Sequence, residues 1–460
     1  MRGAAELLRS VLPAWRVRDD AGTLLVHECD GLRLFRERPD AVAYPGSTRE
    51  VAACVRALAA EGIPIVARGA GTGLAGGARP CRGGVVLDLA KMDRILAIDR
   101  EARTARVEAG VANLRVSEAA APHGLFFAPD PSSQMACTIG GNVACGSGGP
   151  HCLRHGTMTD HVAALRVVDA DGGEHEVDDE SLVSLLVGSE GTLAIVTEAT
   201  LRLLPLPPAV ATLLLAFPSV GAACEAVRAI LDEGFVPAAL EILDARAIRA
   251  VEDSVFAAGY PRDAAALLLA EVEGTGEEVD EAVAWIEARW PARRARDGEE
   301  RARFWRGRKG AFGAMGRVSE ECYVMDGVVP RSRLAEAVER IDAIAARRGL
   351  TLVHVFHAGD GNLHPLLAYR RDEAHAVEAA GREIAEACVA LGGTLSGEHG
   401  IGVEKRDLMP LLFDAPSLDA MERVRAAFDP RRVLNPGKGL PGPKVCAEAV
   451  SRREAERVVG

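Results

Sequence analysis

The sequence predicts an α+β protein built from two domains. Between residues 40 and 208, short apolar runs suited to β-strands alternate with glycine-dense loops. From residue 209 to about 430, strand-like and helix-like stretches alternate, which is typical of a ferredoxin-like α+β domain. The proline cluster LLPLPP at 203–208 separates the two regions, because prolines end regular structure. We therefore expect one domain over 1–208 with its core over about 39–208, a second over 209–430, and a C-terminal segment over 431–460 that ends in a polar tail.

The elements follow in order from local patterns. Residues 1–38 predict a short helix followed by polar loop and strand. Residues 50–61 repeat apolar positions at helical spacing, with Ser47 and Thr48 able to cap the start and Gly62 able to end the helix. Strands are predicted at 85–87, 165–168 and 212–217, and helices at 219–233, 277–289, 331–348 and 372–391.

Bulk composition excludes several classes of protein. A chain of 460 residues exceeds one ordinary core, and a net charge of −12 argues against nucleic-acid binding. The start MRGAAELLRSVLPAWRVRDD lacks the apolar centre of a signal peptide, and no apolar stretch is long enough to cross a membrane. The ten cysteines include no CxxC pair and no iron–sulfur spacing. We therefore expect a cytoplasmic protein with reduced thiols, for which contact with a membrane would come through a partner or a surface.

Three glycine-rich loops crowd into the first domain, at residues 68–77, 129–149 and 188–193. Glycine lets backbone N–H groups approach an anion closely, so successive N–H groups can form a nest for phosphate. One such loop is more often a set of turns, but three in one domain predict a large, elongated, phosphate-bearing ligand. The first loop fails the Rossmann pattern, because glycines continue to Gly76 and Gly77 and Pro80 follows, where a helix should begin.

Two histidine-bearing segments, HAGDGNLH at 357–364 and SGEHG at 396–400, predict a metal centre. A two-residue hairpin turn at Asp360 and Gly361 would place His357 directly opposite His364, with Cβ atoms about 5 Å apart. Glu398 would supply a third ligand and leave an open coordination position, which is typical of catalytic sites. His399 would then stand beside the metal as a proton acceptor. The alternative is a polar hairpin in which each imidazole is simply hydrogen-bonded.

Several segments together resemble a known family. PGSTREVAACVRALAAEGIPIVARGAGTGLAGGA resembles the first FAD-binding segment of the vanillyl-alcohol-oxidase-type (PCMH-type) flavoproteins. The segments PDPSSQMACTIGGNVACGSGGPHCLRHG, GSEGTLAIVTEATLRLLP, HVFHAGDGNLHP, SGEHGIGVEKR and DPRRVLNPGKGLP resemble the FAD-binding subunit of bacterial glycolate oxidase, in a group that also contains D-lactate and D-2-hydroxyglutarate dehydrogenases. The resemblance covers residues 35 to 442 and implies a PCMH-type, two-subdomain FAD-binding domain with a ferredoxin-like cap domain that binds the substrate. The C-terminal segment is then implied to return to the FAD domain.

The resemblance also implies the cofactor contacts. The FAD-binding positions are Pro45, Gly46, Ser47, Arg68, Gly69, Ala70, Gly71, Thr72, Gly73, Leu74, Pro129, Asp130, Thr138, Gly141, Asn142, Gly146, Ser147, Glu190, Gly191, Ile195 and Asn435. Some relatives attach FAD through a histidine of the first loop. This chain has Thr72 in that region and no histidine between residues 28 and 122, so we expect non-covalent FAD.

For the chemistry, the resemblance implies His357, His364 and Glu398 as ligands of a divalent metal, with Zn²⁺ expected and Mn²⁺ or Fe²⁺ as alternatives. It implies His399 as the base and Arg308 as the clamp for a substrate carboxylate. From the residues alone, Arg308 lies in a run of charges that is typical of a solvated helix face. Lys405 and Arg406 are weaker candidates for the clamp. Phe312 and the pair Tyr323 and Val324 favour a substrate with a short or apolar side chain.

The expected reaction is FAD-dependent oxidation of a D-2-hydroxy acid, glycolate or D-lactate, to the 2-oxo acid, with hydride transfer to flavin N5. Alternatives within the family are a D-2-hydroxyglutarate dehydrogenase or an oxidase that uses O₂. Alternatives outside it are a non-redox metallohydrolase and a flavin-binding scaffold. The chain itself shows no iron–sulfur or haem pattern, and the resemblance implies that an iron–sulfur partner subunit accepts the electrons, with a quinone as the alternative. The sequence does not decide between a monomer and a homodimer.

Overall fold

The computed structural model describes residues 3–441, so most of the predicted polar tail lies outside the described residues. The helices are α1 Ala4–Arg9, α2 Ala21–Val26, α3 Thr48–Ala60, α4 Asn113–Ala120, α5 Ile139–Cys145, α6 Cys152–His155, α7 Glu180–Leu186, α8 Val220–Asp232, α9 Ala245–Glu252, α10 Gly276–Glu287, α11 Gly298–Ala314, α12 Leu334–Arg347, α13 Ala374–Ala390 and α14 Ala415–Phe428. The strands are β1 Val17–Arg18, β2 Ala41–Ala43, β3 Ile65–Arg68, β4 Val85–Asp88, β5 Ile95–Asp99, β6 Thr104–Glu108, β7 Leu125–Phe126, β8 Val162–Val168, β9 Glu174–Val177, β10 Ile195–Arg202, β11 Leu204–Pro205, β12 Ala209–Phe217, β13 Ala239–Asp244, β14 Ala266–Gly274, β15 Ala292–Arg294, β16 Glu321–Val324, β17 Gly327–Val328, β18 Thr351–His357, β19 Asn362–Leu363 and β20 Pro365–Tyr369.

The first half of the chain forms two main sheets. One has the order β1-β2-β4-β3, in which β2 and β3 both pair with β4 in parallel. The other has the order β5-β6-β10-β8-β9 and is antiparallel. Helix α3 begins as predicted, because the hydroxyl of Ser47 accepts the N–H of Glu50, and it ends before Gly62 in the left-handed region. Through Val51 and Val55, the apolar face of α3 joins the core cluster that also contains Ile65 of β3 and Val85 of β4.

The second half contains a ferredoxin-like unit. The chain order β12-α8-β13-β14-α10-β15, interrupted by α9, gives the sheet order β15-β12-β14-β13, and β18 extends this sheet beside β13. Strand β13 is buried on both faces: Leu240 and Ile242 join the core under α8, α10, α12 and α13, whereas Leu243 joins the core under α9 and α11. The four helices predicted in this half are confirmed, since they correspond to α8, α10, α12 and α13. The predicted domain division at residue 208 falls between β11 and β12 and stays a prediction.

Both ends of the described chain contact other parts of the fold. The segment before residue 441 returns to the first half, where Ile65 of β3 bonds through its backbone to Val433 and Asn435. Near the start, Leu32 is buried in the core of the second half, so the N-terminal segment spans both halves. Within residues 3–441, no helix is both long enough and apolar enough to traverse a bilayer.

The predicted hairpin at Asp360 and Gly361 has a different register. His357 pairs with Asn362 and His354 with Pro365, so the turn contains the four residues 358–361 and His357 does not face His364 directly. The carboxylate of Asp360 accepts the N–H of Asn362 at 3.1 Å, and Gly361 adopts a left-handed φ of 83°. The predicted two-residue turn was therefore wrong. In the longer turn, the side chain of Asp360 accepts the backbone N–H of Asn362, and a glycine occupies the position with positive φ.

Candidate active site

A cavity of about 1060 Å³ lies between the two halves of the protein. Its wall on one side is formed by the glycine loops at 67–78 and 131–147 and by the segments 189–191 and 194–196. The opposite wall comes from α11 and from side chains of β16, β18 and the residues around 364–366 and 398–399. This volume is at the upper end for ligand pockets, as a large, elongated ligand requires.

Many of the predicted cofactor residues line this cavity. They are Arg68, Gly69, Ala70, Gly71, Thr72, Gly73, Leu74, Thr138, Gly141, Asn142, Ser147, Glu190, Gly191 and Ile195. The first loop requires glycine at two of these positions. A Cβ on Gly69 would lie 2.1 Å from the hydroxyl oxygen of Thr138, and a Cβ on Gly71 would lie 2.1 Å from the Arg68 guanidinium. At Gly69 the loop can approach the Thr138 segment closely only because a side chain is absent, and at Gly71 a left-handed φ of 68° also favours glycine.

Seven predicted cofactor residues do not line the wall: Pro45, Gly46, Ser47, Pro129, Asp130, Gly146 and Asn435. Ser47 caps α3, and Gly146 ends α5 in the left-handed region. The side-chain amide of Asn435 donates to the carbonyls of Gly77 and Glu190, at 2.9 and 2.7 Å, and so ties the first glycine loop to the third. Asn435 therefore supports two of the loops without lining the wall, and direct contact of the seven residues with a cofactor stays a prediction.

Asp130 instead joins a buried ionic network at the boundary between the two halves. Its carboxylate accepts from Lys309 at 2.6 Å, and its Oδ1 atom lies 2.9 Å from Nδ1 of His151 in an ion pair. The other nitrogen of His151 lies 3.3 Å from Glu271, which also accepts from Trp305. Since Lys309 and Trp305 line the cavity, the network fixes part of its wall.

The three predicted metal ligands converge at one end of the cavity. The Nε2 atoms of His357 and His364 lie 3.2 and 3.0 Å from the Oε1 atom of Glu398. The ligand atoms of the three residues lie within 4.8 Å of one another, and the site is buried. The Oε2 atom of Glu398 has no hydrogen-bond partner within the described part of the chain.

The remaining nitrogens of the two histidines are already bonded. Nδ1 of His357 donates to the carboxylate of Glu241 at 2.8 Å, and Nδ1 of His364 donates to the carbonyl of Met325 at 3.1 Å. Each Nε2 atom therefore faces Glu398 and is the nitrogen available to a metal. Bonds of this kind fix the tautomer and orientation of histidines that bind a metal. The donor set fits a divalent cation with nitrogen and carboxylate ligands.

Electrostatics favour positive charge at this cluster. Burial alone would lower the pKa of His357, but the carboxylates of Glu241 and Glu398 raise it to about 10. Burial opposes ionisation of Glu398, yet His357 and His364 hold its pKa well below the usual range. A metal can replace the proton at Nε2, because binding to a histidine releases a proton.

His399 lies beside the three candidate ligands. Its ring stacks on that of His364, with centroids 4.8 Å apart and planes 6° apart, and its Nδ1 atom has no hydrogen-bond partner among residues 3–441. Burial lowers the pKa of His399 to about 4, and the nearby His364 and Lys405 add to this effect. The imidazole is therefore neutral near pH 7 and can accept a proton.

Asp326, which has no distinguishing pattern in the sequence, holds the loop that carries Glu398 and His399. Its carboxylate is fully buried and accepts from the hydroxyl of Ser396 at 2.6 Å. It also accepts the backbone N–H groups of residues 397, 398 and 399, at 3.1, 3.2 and 2.8 Å. Asp326, His364 and His399 also lie close enough to hold a metal. The four bonds from the loop all go to the Oδ2 atom, so the carboxylate of Asp326 fixes the loop.

Arg308 is 4% exposed, so its interpretation as part of a solvated charge run was wrong. It lines the cavity, and its Nη2 atom lies 2.5 Å from Glu241 and 3.4 Å from Nδ1 of His357. The two weaker candidates do not line the cavity. Lys405 is buried against Asp326 at 3.4 Å, and Arg406 pairs with Asp407. Glu241 was missed by sequence reasoning, because it sits in an apolar strand pattern without a motif.

Apolar side chains also line this cavity. Val324, Val355 and Leu366 are buried in one cluster, whereas Phe312 is 43% exposed. Tyr323 turns away, and its hydroxyl donates to Glu404 at 2.6 Å.

Comparison with known proteins agrees with this architecture. Residues 39–178 match the family described as FAD binding domain, and residues 206–439 match FAD linked oxidases, C-terminal domain. The chain is 43% identical to the glycolate oxidase subunit GlcD of Escherichia coli K12, over 96% of this chain and 91% of that protein. It is 35% identical to D-lactate dehydrogenase of Archaeoglobus fulgidus, over 86% of this chain and 90% of that protein. Its fold is similar to p-cresol methylhydroxylase with substrate bound, with a TM-score of 0.79 at 18% identity over 95% of this chain and 96% of that one.

Fold and cavity thus define a flavoprotein of the PCMH type, and the predicted α+β fold class is confirmed. The chain belongs to the FAD-linked oxidases, the family that its C-terminal half matches over residues 206–439. It is an FAD-linked oxidoreductase, as predicted, and both relatives are named for hydroxy acids.

Proposed function

We propose that this protein oxidises a short D-2-hydroxy acid, glycolate or D-lactate, to the 2-oxo acid with non-covalent FAD. The observation that carries the proposal is the convergence of His357, His364, Glu398, His399 and Arg308 on one cavity shared with the glycine loops. The relatives named glycolate oxidase subunit and D-lactate dehydrogenase support the substrate class.

The residues at this end of the cavity would have separate roles in metal binding and proton transfer. Nε2 of His357, Nε2 of His364 and the carboxylate of Glu398 would hold a divalent cation, with Zn²⁺ preferred over Mn²⁺ or Fe²⁺. When bound, that cation would lower the pKa of the substrate hydroxyl as a Lewis acid. The neutral imidazole of His399 takes the hydroxyl proton as general base.

Arg308 orients the substrate, because its planar guanidinium can bind a carboxylate through two N–H groups. Bound FAD supplies the two-electron acceptor, since flavin N5 takes a hydride. Val324, Val355 and Leu366 offer an apolar wall that suits a hydrogen or a methyl group on Cα. A second carboxylate, as in D-2-hydroxyglutarate, would lose hydration against this wall.

The test is reduction of the flavin under anaerobic conditions. Oxidised protein-bound FAD absorbs visible light, and we expect the colour to bleach with glycolate or D-lactate, more slowly with D-2-hydroxyglutarate, and not with L-lactate. His399→Ala should retain FAD and slow this reduction by about 10²- to 10⁴-fold. Unchanged reduction kinetics would remove His399 from the mechanism. A protein that is yellow but never bleaches would be a scaffold, and a colourless one would favour a metallohydrolase.

Electrons then leave the flavin for an acceptor. The word subunit in the name of the Escherichia coli relative supports a partner subunit as the acceptor, and the sequence resemblance implies that this partner carries iron–sulfur clusters. A quinone is the alternative acceptor, and any membrane association would arise through the partner. Rapid reoxidation of the reduced protein by air alone would instead favour an oxidase that uses O₂.

A further inference from the structure

Glu241 lies directly behind the proposed centre. It sits on β13, where strand pairing aligns it with His357 of β18, and its side chain is completely buried. Its carboxylate accepts from Nδ1 of His357 at 2.8 and 2.9 Å, and its Oε2 atom lies 2.5 Å from Nη2 of Arg308. The apolar neighbours Leu240 and Ile242 anchor the strand in the core. One carboxylate therefore bridges a candidate metal ligand and the candidate substrate clamp.

We propose that Glu241 is a positioning residue that sets His357 for metal binding and Arg308 for substrate binding at the same time. The inference rests on the proposed function and extends it, because Glu241 does not itself line the cavity and must act through these two side chains.

The effect on His357 is to select one tautomer. A carboxylate at Nδ1 keeps a proton there, so Nε2, which faces Glu398, is the nitrogen that can exchange its proton for a metal. The negative charge also makes the imidazole a stronger ligand. With an amide in place of the carboxylate, an NH₂ group could face Nδ1. The proton would then shift to Nε2 and block the metal.

The effect on Arg308 is to hold its buried guanidinium in one position. Among residues 3–441, Glu241 is the one carboxylate in ion-pair contact with its guanidinium. Removing that charge leaves the guanidinium uncompensated in the interior, free to shift toward other acceptors. The clamp would then lose its orientation toward the substrate, which should raise KM for the hydroxy acid.

The experiment compares Glu241→Gln with a matched control, Glu271→Gln. Glu271 lies on the adjacent strand β14, is equally buried, and pairs with an arginine and a histidine, Arg301 and His151. It lies outside the candidate metal cluster. Each protein is stripped of metal, and its Zn²⁺ affinity is then measured by competition with a chromophoric chelator. FAD content is read from the visible spectrum, and KM and kcat are measured at saturating Zn²⁺.

We expect Glu241→Gln to weaken Zn²⁺ binding by about 10- to 100-fold with FAD content unchanged, the range seen when partners of metal-bound histidines are removed. With Zn²⁺ saturating, its KM should rise more than its kcat falls, whereas Glu271→Gln should keep the Zn²⁺ affinity of the unmodified protein. Affinity of Glu241→Gln within about threefold of the unmodified protein, or an equal loss in the control, overturns the inference. If Glu241→Gln does not fold, Glu241→Asp replaces it, and its shorter carboxylate should weaken Zn²⁺ binding severalfold; unchanged affinity there also overturns the inference. If the unmodified protein binds no divalent metal, the proposed function itself fails.

Discussion

Replacing Asp326 with Asn should both destabilise the protein and weaken its metal centre. The change conserves size and removes one buried charge. In the folded protein, burial disfavours that charge, but positive charge beside it, supplied near pH 7 by the ammonium of Lys405, holds the pKa of Asp326 well below its usual range. The carboxylate is therefore ionised in the folded protein at neutral pH, and its bonds to the loop at 396–399 are charge-assisted.

The magnitude follows from the bonds of the Oδ2 atom. It accepts from the hydroxyl of Ser396 and from the N–H groups of residues 397 to 399, and it lies 3.4 Å from the ammonium of Lys405. An amide oxygen in the same position keeps these bonds at about half strength. Breaking a buried ion pair costs about 3–5 kcal/mol, and Lys405 retains Glu404 at 3.4 Å. We therefore expect Asp326→Asn to lower the free energy of unfolding by about 3 kcal/mol.

The assay is urea unfolding of the metal-free protein, together with Zn²⁺ affinity by chelator competition. Glu404→Gln is the matched control, because it also removes a buried carboxylate from Lys405 but leaves the loop at 396–399 untouched. We expect Asp326→Asn to lose metal affinity and the control to keep it. If both variants lose equal stability and keep normal Zn²⁺ affinity, then Asp326 does not hold the loop as we argue.

Three further predictions concern other parts of the molecule. Gly69→Ala should lower the FAD content, measured from the ratio of visible to ultraviolet absorbance, because its Cβ would lie 2.1 Å from the hydroxyl oxygen of Thr138; full FAD occupancy would contradict this reason. Burial disfavours the charged form of His151, but Asp130 and Glu271 raise its pKa from 6.5 to about 10, so its ionic contribution to stability is complete below about pH 6.5 and is lost as the pH rises toward 10. The difference in unfolding free energy between the unmodified protein and His151→Gln should therefore shrink over that interval, and a difference independent of pH would refute it. Val324→Lys should lower kcat/KM for D-lactate and raise the relative rate with D-2-hydroxyglutarate, because a cation would enter the apolar wall; a parallel loss for both acids would place Val324 away from the substrate.

Local patterns were sufficient for much of the fold. Ser47 and Gly62 mark the ends of α3 because capping depends on a few neighbouring residues. The alternation after residue 209 predicted the ferredoxin-like unit because each amphipathic helix must cover a sheet. The glycine loops indicated a large ligand because close backbone approach needs glycine at positions such as Gly69.

The carboxylates that organise the site could not be predicted in this way. Glu241 lies in β13, Arg308 in α11 and His357 in β18, and nothing in their spacing shows that the three elements meet. Asp326 likewise meets the loop at 396–399 across 70 residues of chain. A buried charge is tolerated only where its partners are present, so its position follows from the completed packing and from no local pattern.

The candidate metal cluster could be predicted although the predicted pairing of the two hairpin strands was wrong. In a strand, successive side chains point to opposite faces, so a slip of one residue would have sent one imidazole away from the other. The observed pairing of His357 with Asn362 differs from the predicted pairing with His364 by two residues, which conserves the face. His364 becomes a diagonal neighbour of His357, and the two long side chains still meet with ring centroids 5.0 Å apart. The observed register also brings Asn362 against Gly397. A Cβ atom on residue 397 would lie 2.3 Å from the side-chain amide nitrogen of Asn362. That close contact seats the loop carrying Glu398 against the hairpin, so the four-residue turn acts together with Asp326 to place the candidate third ligand beside the two histidines.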